Sequence, residues 1–195
     1  MISPFQYILP LISVVIGIAL SDVALSLHRL IRARDRVRWD WLPLFTAVIG
    51  ILAVLQVWWA FYHSQNTDFY ETLYGFLPFA AQLLTLVLLN AASLPDRIPE
   101  EGLDMRAFYE KSAPYFWSAY AFYLFLVVAH RVGARLMNGL PEGVGVGGVL
   151  WKATGFLPII LFFLALAWFR NRLVHSIVIP FVLLVLLLEL NGLRL

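Results

Sequence analysis

Six polar side chains interrupt segments of the chain that are otherwise apolar, and their types could bind or pass an ion. They lie in the first four such segments: Ser21, Asp22, Gln56, Gln82, Asn90 and His130. Ionisable and polar groups inside a membrane are costly and by default indicate a functional site. Counted along the segments, Asp22, Ser21 and Asn90 share one depth, while Gln56, Gln82 and His130 share another. Two such layers would line a polar path if the helices face one another.

A structural interpretation of the same residues is also open. Polar side chains in membrane helices often bond across helix contacts, at about 0.6 kcal/mol each on average. Ser13, Gly17 and Ser21 recur every four residues, a spacing of small residues that lets another helix approach closely. This spacing predicts that the Asp22 side of the first helix is buried, and an ion pair of Asp22 with Arg29 is a further structural interpretation.

The composition explains why these polar residues stand out. Hydrophobic residues make up 62% of the 195-residue chain and charged residues 13%, against roughly 45 to 50% and about 25% in soluble domains. The polar stretches are too short for a separate domain outside the membrane, so residues 1–195 are expected to form one membrane domain. The chain has no cysteine, which excludes disulfides, thiolate nucleophiles and iron–sulfur ligation.

An all-α membrane bundle of six transmembrane helices follows from the apolar segments. A helix needs about 20 apolar residues to cross the hydrocarbon core. The segments that meet this requirement lie near residues 5–27, 41–62, 73–94, 115–136, 151–169 and 173–190.

Basic residues between the spans predict the orientation. They concentrate in the first, third and fifth connections, and the alternate side holds only Arg131, Arg135, Lys152 and Arg194. The positive-inside rule therefore places the first connection in the cytoplasm and both termini outside. Aromatic residues at the span ends, among them Trp117, agree with this arrangement as headgroup-level belts.

The first connection is the most basic part of the chain. It carries five arginines: Arg29, Arg32, Arg34, Arg36 and Arg38. We expect them to anchor the orientation and to contact anionic lipid at the inner face, at about 1 kcal/mol per basic residue. The loop is too short to position contacts to bases, so nucleic acid is not an expected partner. The acidic connection at residues 96–111 could pair with this loop and lock the cytoplasmic face.

Two dipeptides recur at a shift of about 102 residues. His28-Arg29 is repeated as His130-Arg131, and Pro78-Phe79 as Pro180-Phe181. The recurrence suggests two three-span halves, the second inserted upside down as in many transporters.

The sequence contains little that would support an enzyme activity or a bound cofactor. Histidines at His28 and His175 are expected near one surface, hydrated at span ends, and His63 and His130 toward the other. Paired axial histidines would be needed for a haem between helices, and no spacing typical of a metal site occurs on one helix. The sequence also lacks a nucleophile elbow. We therefore expect no enzyme activity, metal or other cofactor.

Several sequence elements resemble a family of uncharacterised bacterial inner-membrane proteins of similar length with six spans. The likeness rests on Phe5-Gln6-Tyr7, on residues 28–31 leading to 36–39, on Trp58-Trp59, and on residues 94–96 leading to 103–109. It covers about the first 120 residues. The resemblance implies a location in the bacterial cytoplasmic membrane and assigns no activity.

Three functions are therefore weighed. The first is a channel or transporter for an ion or small solute, working as an oligomer because six helices enclose little space. The second is a non-transporting scaffold or partner-binding subunit that uses its two large cytoplasmic connections. The third is a membrane haem protein.

Overall fold

The computed structural model describes residues 4–63, 72–137, 139–140, 145–169 and 171–192. Within them the chain is almost entirely helical. The helices, in chain order, are α1 (Pro4–Arg32), α2 (Trp41–His63), α3 (Leu73–Ser93), α4 (Met105–Met137), α5 (Val146–Thr154), α6 (Leu157–Trp168) and α7 (Arg172–Gly192).

In the ranges that the structure describes, six helical segments are long and apolar enough to cross a membrane, counting α5 and α6 together as one. The prediction of an all-α bundle with six spans is confirmed, and the chain is a multi-pass integral membrane protein. Two differences from the predicted segments are the largest. The fourth helix begins at Met105 rather than near residue 115, and the fifth span is broken after Thr154. A proline at the second position of α6 favours a new helix start there, because its fixed φ suits the first helical turn.

The core lies around α3 and α4, which share the most extensive contact of any two helices described. Helix α3 also contacts α1 and α2, α4 contacts α6, and α7 packs mainly against α2. Phe61 stacks on Phe79 at 5.2 Å between ring centroids, and Trp117 stacks on Phe163 at 5.6 Å. Trp117 is fully buried, so its assignment to a headgroup belt was wrong. Its ring fills the space between α4 and α6.

A short parallel ladder joins two connections at one end of the bundle. Strand β1 (Val37–Arg38) pairs with β2 (Leu103–Asp104), so that Val37 lies opposite Leu103. The predicted pairing of the arginine-rich connection with the acidic connection is thus confirmed. We call this end of the bundle the arginine end and the opposite end the distal end.

Helix packing gives the suggested duplication no support. In the first half α3 packs against both α1 and α2, and these two also touch each other. In the second half α4 packs against α5 and α6, whereas α7 packs chiefly against α2 of the first half. A duplication would be expected to reproduce the same contacts in both halves.

The small-residue face of α1 is not buried within the chain. Ser13, Gly17 and Ser21 are all exposed, and a methyl group added at Gly17 would meet no atom of the described residues within 4 Å. The prediction that these residues bury the Asp22 side of the helix was therefore wrong. Helix α1 packs through the opposite face, which carries Ile12, Ala19 and Val23.

Candidate functional site: the arginine end

Asp104 ties the ladder to the start of α4. Its Oδ1 accepts hydrogen bonds from the amides of Arg106 (2.9 Å) and Ala107 (3.2 Å), which satisfies two of the free amides at the helix start. Its Oδ2 lies 3.4 Å from the Arg38 guanidinium on the neighbouring strand. The Ala107 amide does most to lower the pKa of Asp104 below its ordinary value, with smaller contributions from Arg106 and Arg38. The carboxylate therefore links the arginine-rich connection to a transmembrane helix.

Two backbone contacts hold the connections together around this ladder. Gly102 has a φ of +102°, and a Cβ there would lie 2.8 Å from the Arg36 carbonyl oxygen. Only glycine allows both this backbone conformation and this close approach. The Arg29 guanidinium donates to the Asp96 carbonyl oxygen at 3.1 Å. Arg29 thus bonds to the acidic connection at residues 96–111, and the ion pair with Asp22 that the sequence suggested is not formed.

Basic residues that precede the ladder in the chain are exposed. Arg32, Arg34 and Arg36 are exposed, and Arg34 lies 3.8 Å from Asp35 in a solvent-exposed pair. Among the residues that the structure describes, neither Arg32 nor Arg36 has an ion-pair partner. The Trp39 ring beside them is 46% exposed. We call Arg32, Arg34, Arg36 and Trp39 the arginine platform.

The polar residues nearer the arginine end resemble a contact between helices more than the lining of a channel. Asn90 is buried, and its Nδ2 donates to the Leu86 carbonyl at 2.8 Å and lies 3.5 Å from the Gly50 carbonyl. A Cβ at Gly50 would come within 2.6 Å of Asn90 Oδ1, so this amide occupies the space that glycine leaves. Asp22 on α1 is half-buried, and Ser21 is exposed.

The layer nearer the distal end is divided between two helix contacts. Gln56 on α2 donates to a carboxylate oxygen of Glu189 on α7 at 2.9 Å. Gln82 is buried on α3, and the His130 ring of α4 lies 5.8 Å from that of Phe79. Sequence reasoning missed Glu189, although an acidic residue near the end of an apolar segment could have indicated it.

A buried polar cluster between α4 and α7 was also missed. His175 Nδ1 lies 2.6 Å from the Tyr109 hydroxyl and 3.2 Å from Trp117 Nε1, and His175 Nε2 lies 2.7 Å from the Phe169 carbonyl oxygen. A carbonyl only accepts, so Nε2 carries the proton toward Phe169, and a neutral ring then accepts at Nδ1 from the hydroxyl and the indole. The sequence placed His175 in water at a span end, but the residue is 3% exposed.

An ion pair extends this cluster toward α2. The Arg172 guanidinium bonds to the Asp40 carboxylate, and the other oxygen of Asp40 accepts from the Leu42 amide at the start of α2. A cavity of about 30 Å³ lies between Tyr109, Arg172 and His175, enough for about two water molecules at roughly 10 to 15 Å³ each. The cluster joins α2, α4, α6 and α7 at the arginine end.

These contacts also decide what the histidines could bind. Both ring nitrogens of His175 are occupied by protein groups, so His175 is not free to ligate a haem iron. His28 is exposed on α1, and the side chain of His63 lies outside the described residues. Within the described ranges, no group of three histidine or acidic residues could hold a metal ion.

Comparisons of the chain with protein families, curated proteins and solved structures found no match.

Proposed function

We propose that this protein is a non-transporting membrane scaffold that docks a partner protein on its arginine platform. The observation that carries the proposal is the parallel ladder between the two connections. Loops that only anchor a protein in the membrane need no fixed conformation, because a basic residue near the surface attracts anionic lipid in many geometries. Here the two connections are paired as strands. Asp104 accepts a hydrogen bond from the amide of Arg106 at the start of α4, and Gly102 lets the two connections approach closely at Arg36.

The chemistry of the platform favours an acidic partner. Arginine and tryptophan are enriched among the residues that contribute most to binding in protein interfaces. Arg32 and Arg36 are free to pair with carboxylates, and arginine binds them in a bidentate geometry. The neighbouring Glu100 and Glu101 are exposed as well, and their charges would orient an acidic segment by repelling it from that side.

The positions of two cavities bear on the choice between a scaffold and a transporter. Two of the cavities in the described part of the chain, of about 30 Å³ and about 90 Å³, lie at the arginine end and the distal end. Neither is lined by Asp22, Asn90, Gln56, Gln82 or His130. Three of the residues expected to form a path, Asn90, Gln56 and His130, instead contact a neighbouring helix.

Crosslinking in native membranes tests the scaffold. We expect the wild-type chain to give a discrete crosslinked protein, and the double variant Arg32→Gln/Arg36→Gln to lose most of it. The matched control is Arg131→Gln/Arg135→Gln, which removes the same charge from exposed positions at the distal end. Equal yields from both double variants, or no crosslinked protein from the wild type, would contradict the proposal.

A second candidate function is passage of an ion or small solute, and one observation favours it. Ser26 Oγ on α1 and Asn90 Oδ1 on α3 are buried, and neither has a hydrogen-bond partner among the described residues. Unpaired buried acceptors are rare and call for an explanation. If they serve an ion, Asp22→Asn should change flux in proteoliposomes without changing thermal stability. Equal flux in the variant and the wild type would exclude a role for Asp22 in transport.

We further propose that the protein lies in a bacterial cytoplasmic membrane with the arginine end inside and both termini outside, as the basic connections indicate. Because the chain has no cysteine, a single residue replaced by cysteine carries the protein's one thiol, and the reactivity of that thiol reports on which side of the membrane it lies. Arg36→Cys should react with an impermeant maleimide only after cells are opened, and Lys152→Cys should react on intact cells. The reverse pattern would overturn the orientation.

A further inference from the structure

The cavity at the distal end is lined by bases on one side and by apolar residues on the other. It has a volume of about 90 Å³ and lies where the end of α4 meets α5 and the start of α6. Its basic residues are Arg131, Arg135 and Lys152. Its apolar residues are Val128, Val132, Val149, Ala153 and Phe156.

The concentration of charge in this cavity is unusual for the distal end. The connections and the terminus of that end hold four basic residues in the sequence, and three of them line this one cavity. None of the described residues that line it is acidic, and none of the three bases forms an ion pair with a described residue. Arg131 and Arg135 are four residues apart on α4, a spacing at which like charges repel. An anion between them would relieve this repulsion.

The break between α5 and α6 gives the cavity its shape. The two helices are separated at Gly155 and Phe156, where a Cβ on the glycine would lie 3.3 Å from the Lys152 carbonyl oxygen. Trp151, on the same turn as Lys152, is 78% exposed. Tryptophan is enriched where a membrane meets water, so the bases lie at the depth of lipid headgroups.

We propose that this cavity binds the phosphate of an anionic phospholipid headgroup. Arginine pairs with phosphate through two parallel hydrogen bonds, and Lys152 supplies a third charge from the facing helix. The volume is several times the roughly 10 to 15 Å³ that one water needs, so a group larger than water fits. The exposed apolar side chains of Phe156 and Leu157 continue from the cavity along α6, where they can contact the acyl chains.

Lipid titration of the full chain in a neutral detergent tests the site. Native mass spectrometry would count bound phosphatidylglycerol in the wild type, in Arg131→Gln/Arg135→Gln and in Lys152→Gln. Since a hydrogen bond to a charged group contributes more than a neutral one, we expect the double variant to bind at least roughly tenfold more weakly. The control is Arg97→Gln/Lys111→Gln, two exposed bases at the arginine end that lie outside the arginine platform, and it should bind like the wild type. All of these positions are exposed, so the variants are expected to fold, which thermal unfolding checks.

The outcomes distinguish a lipid headgroup site from general attraction to surface charge and from a site for free phosphate. Weaker binding confined to the double variant and to Lys152→Gln supports it. Equal affinity in all variants, or an equal loss in the arginine-end control, overturns it, because the latter would show attraction to general surface charge. Displacement of the lipid by an equimolar amount of inorganic phosphate would overturn the assignment to a lipid headgroup and assign the cavity to free phosphate.

Discussion

Replacing Gly102 with alanine should open the ladder at the arginine end while leaving the helices intact. The residue has a φ of +102°, and a non-glycine residue held in such a conformation costs about 1 to 3 kcal/mol. The added Cβ would also lie 2.8 Å from the Arg36 carbonyl oxygen. A backbone atom cannot move aside as a flexible side chain can, so the two connections must separate. At tenfold per 1.4 kcal/mol, the strain alone predicts local opening that is roughly 5-fold to 150-fold more frequent.

Hydrogen exchange followed by mass spectrometry measures this opening directly. Peptides from residues 33–38 and 98–104 should exchange faster in Gly102→Ala, and peptides from α2 and α3 should be unchanged. The matched control is Gly139→Ala, because Gly139 has a φ of +95° and no atom of the described part of the chain lies within 4 Å of its added Cβ. It should leave exchange at the arginine end at the wild-type rate. Unchanged exchange in the Gly102 variant would refute the account of a closed, paired surface.

Three further predictions concern the same end of the bundle. Cysteines at Val37 and Leu103, which face each other in the ladder, should form a disulfide on mild oxidation, and failure to crosslink would contradict the pairing. The pKa of Asp104 is lower in the folded protein than in the unfolded chain, where it is about 4. Ionised Asp104 therefore stabilises the fold at pH values above about 4, and this stabilisation is lost as the pH falls through the lower pKa of the folded protein. Asp104→Ala should therefore unfold more easily than wild type at pH 7, with a smaller difference at pH 3. Tyr109→Phe removes a hydrogen bond to buried His175 and should lower the free energy of unfolding by about 0.5 to 1.5 kcal/mol in chemical denaturation.

The spans were predictable because the bilayer imposes one simple requirement on sequence. A segment of about 20 apolar residues can satisfy its backbone only as a helix. The pairing of the two connections was also predictable, since their opposite charges lie at the same end of the bundle. The Arg38 guanidinium lies 3.4 Å from the Asp104 carboxylate and forms an ion pair between the two connections.

The faces of the helices were harder to predict. A leucine that contacts lipid is in surroundings as apolar as the protein core. In a membrane protein, apolar residues therefore do not indicate the buried face of a helix as they do in water. For this reason the exposed Ser13 and Gly17 were assigned to a helix contact, and the buried Trp117 to the membrane surface. His175 was misplaced by the same uncertainty, because its partners Tyr109 and Trp117 lie on a helix distant in sequence.

The scaffold is tested most directly by a photoreactive amino acid placed on the platform in living cells. We would replace Trp39 with benzoylphenylalanine and compare it with the same replacement at Trp168, whose ring is also exposed near the arginine end. The scaffold predicts a discrete protein adduct from position 39 that the Arg32→Gln/Arg36→Gln background abolishes, and no such adduct from position 168. Only lipid adducts from both positions, or the same protein adducts from both, would contradict it.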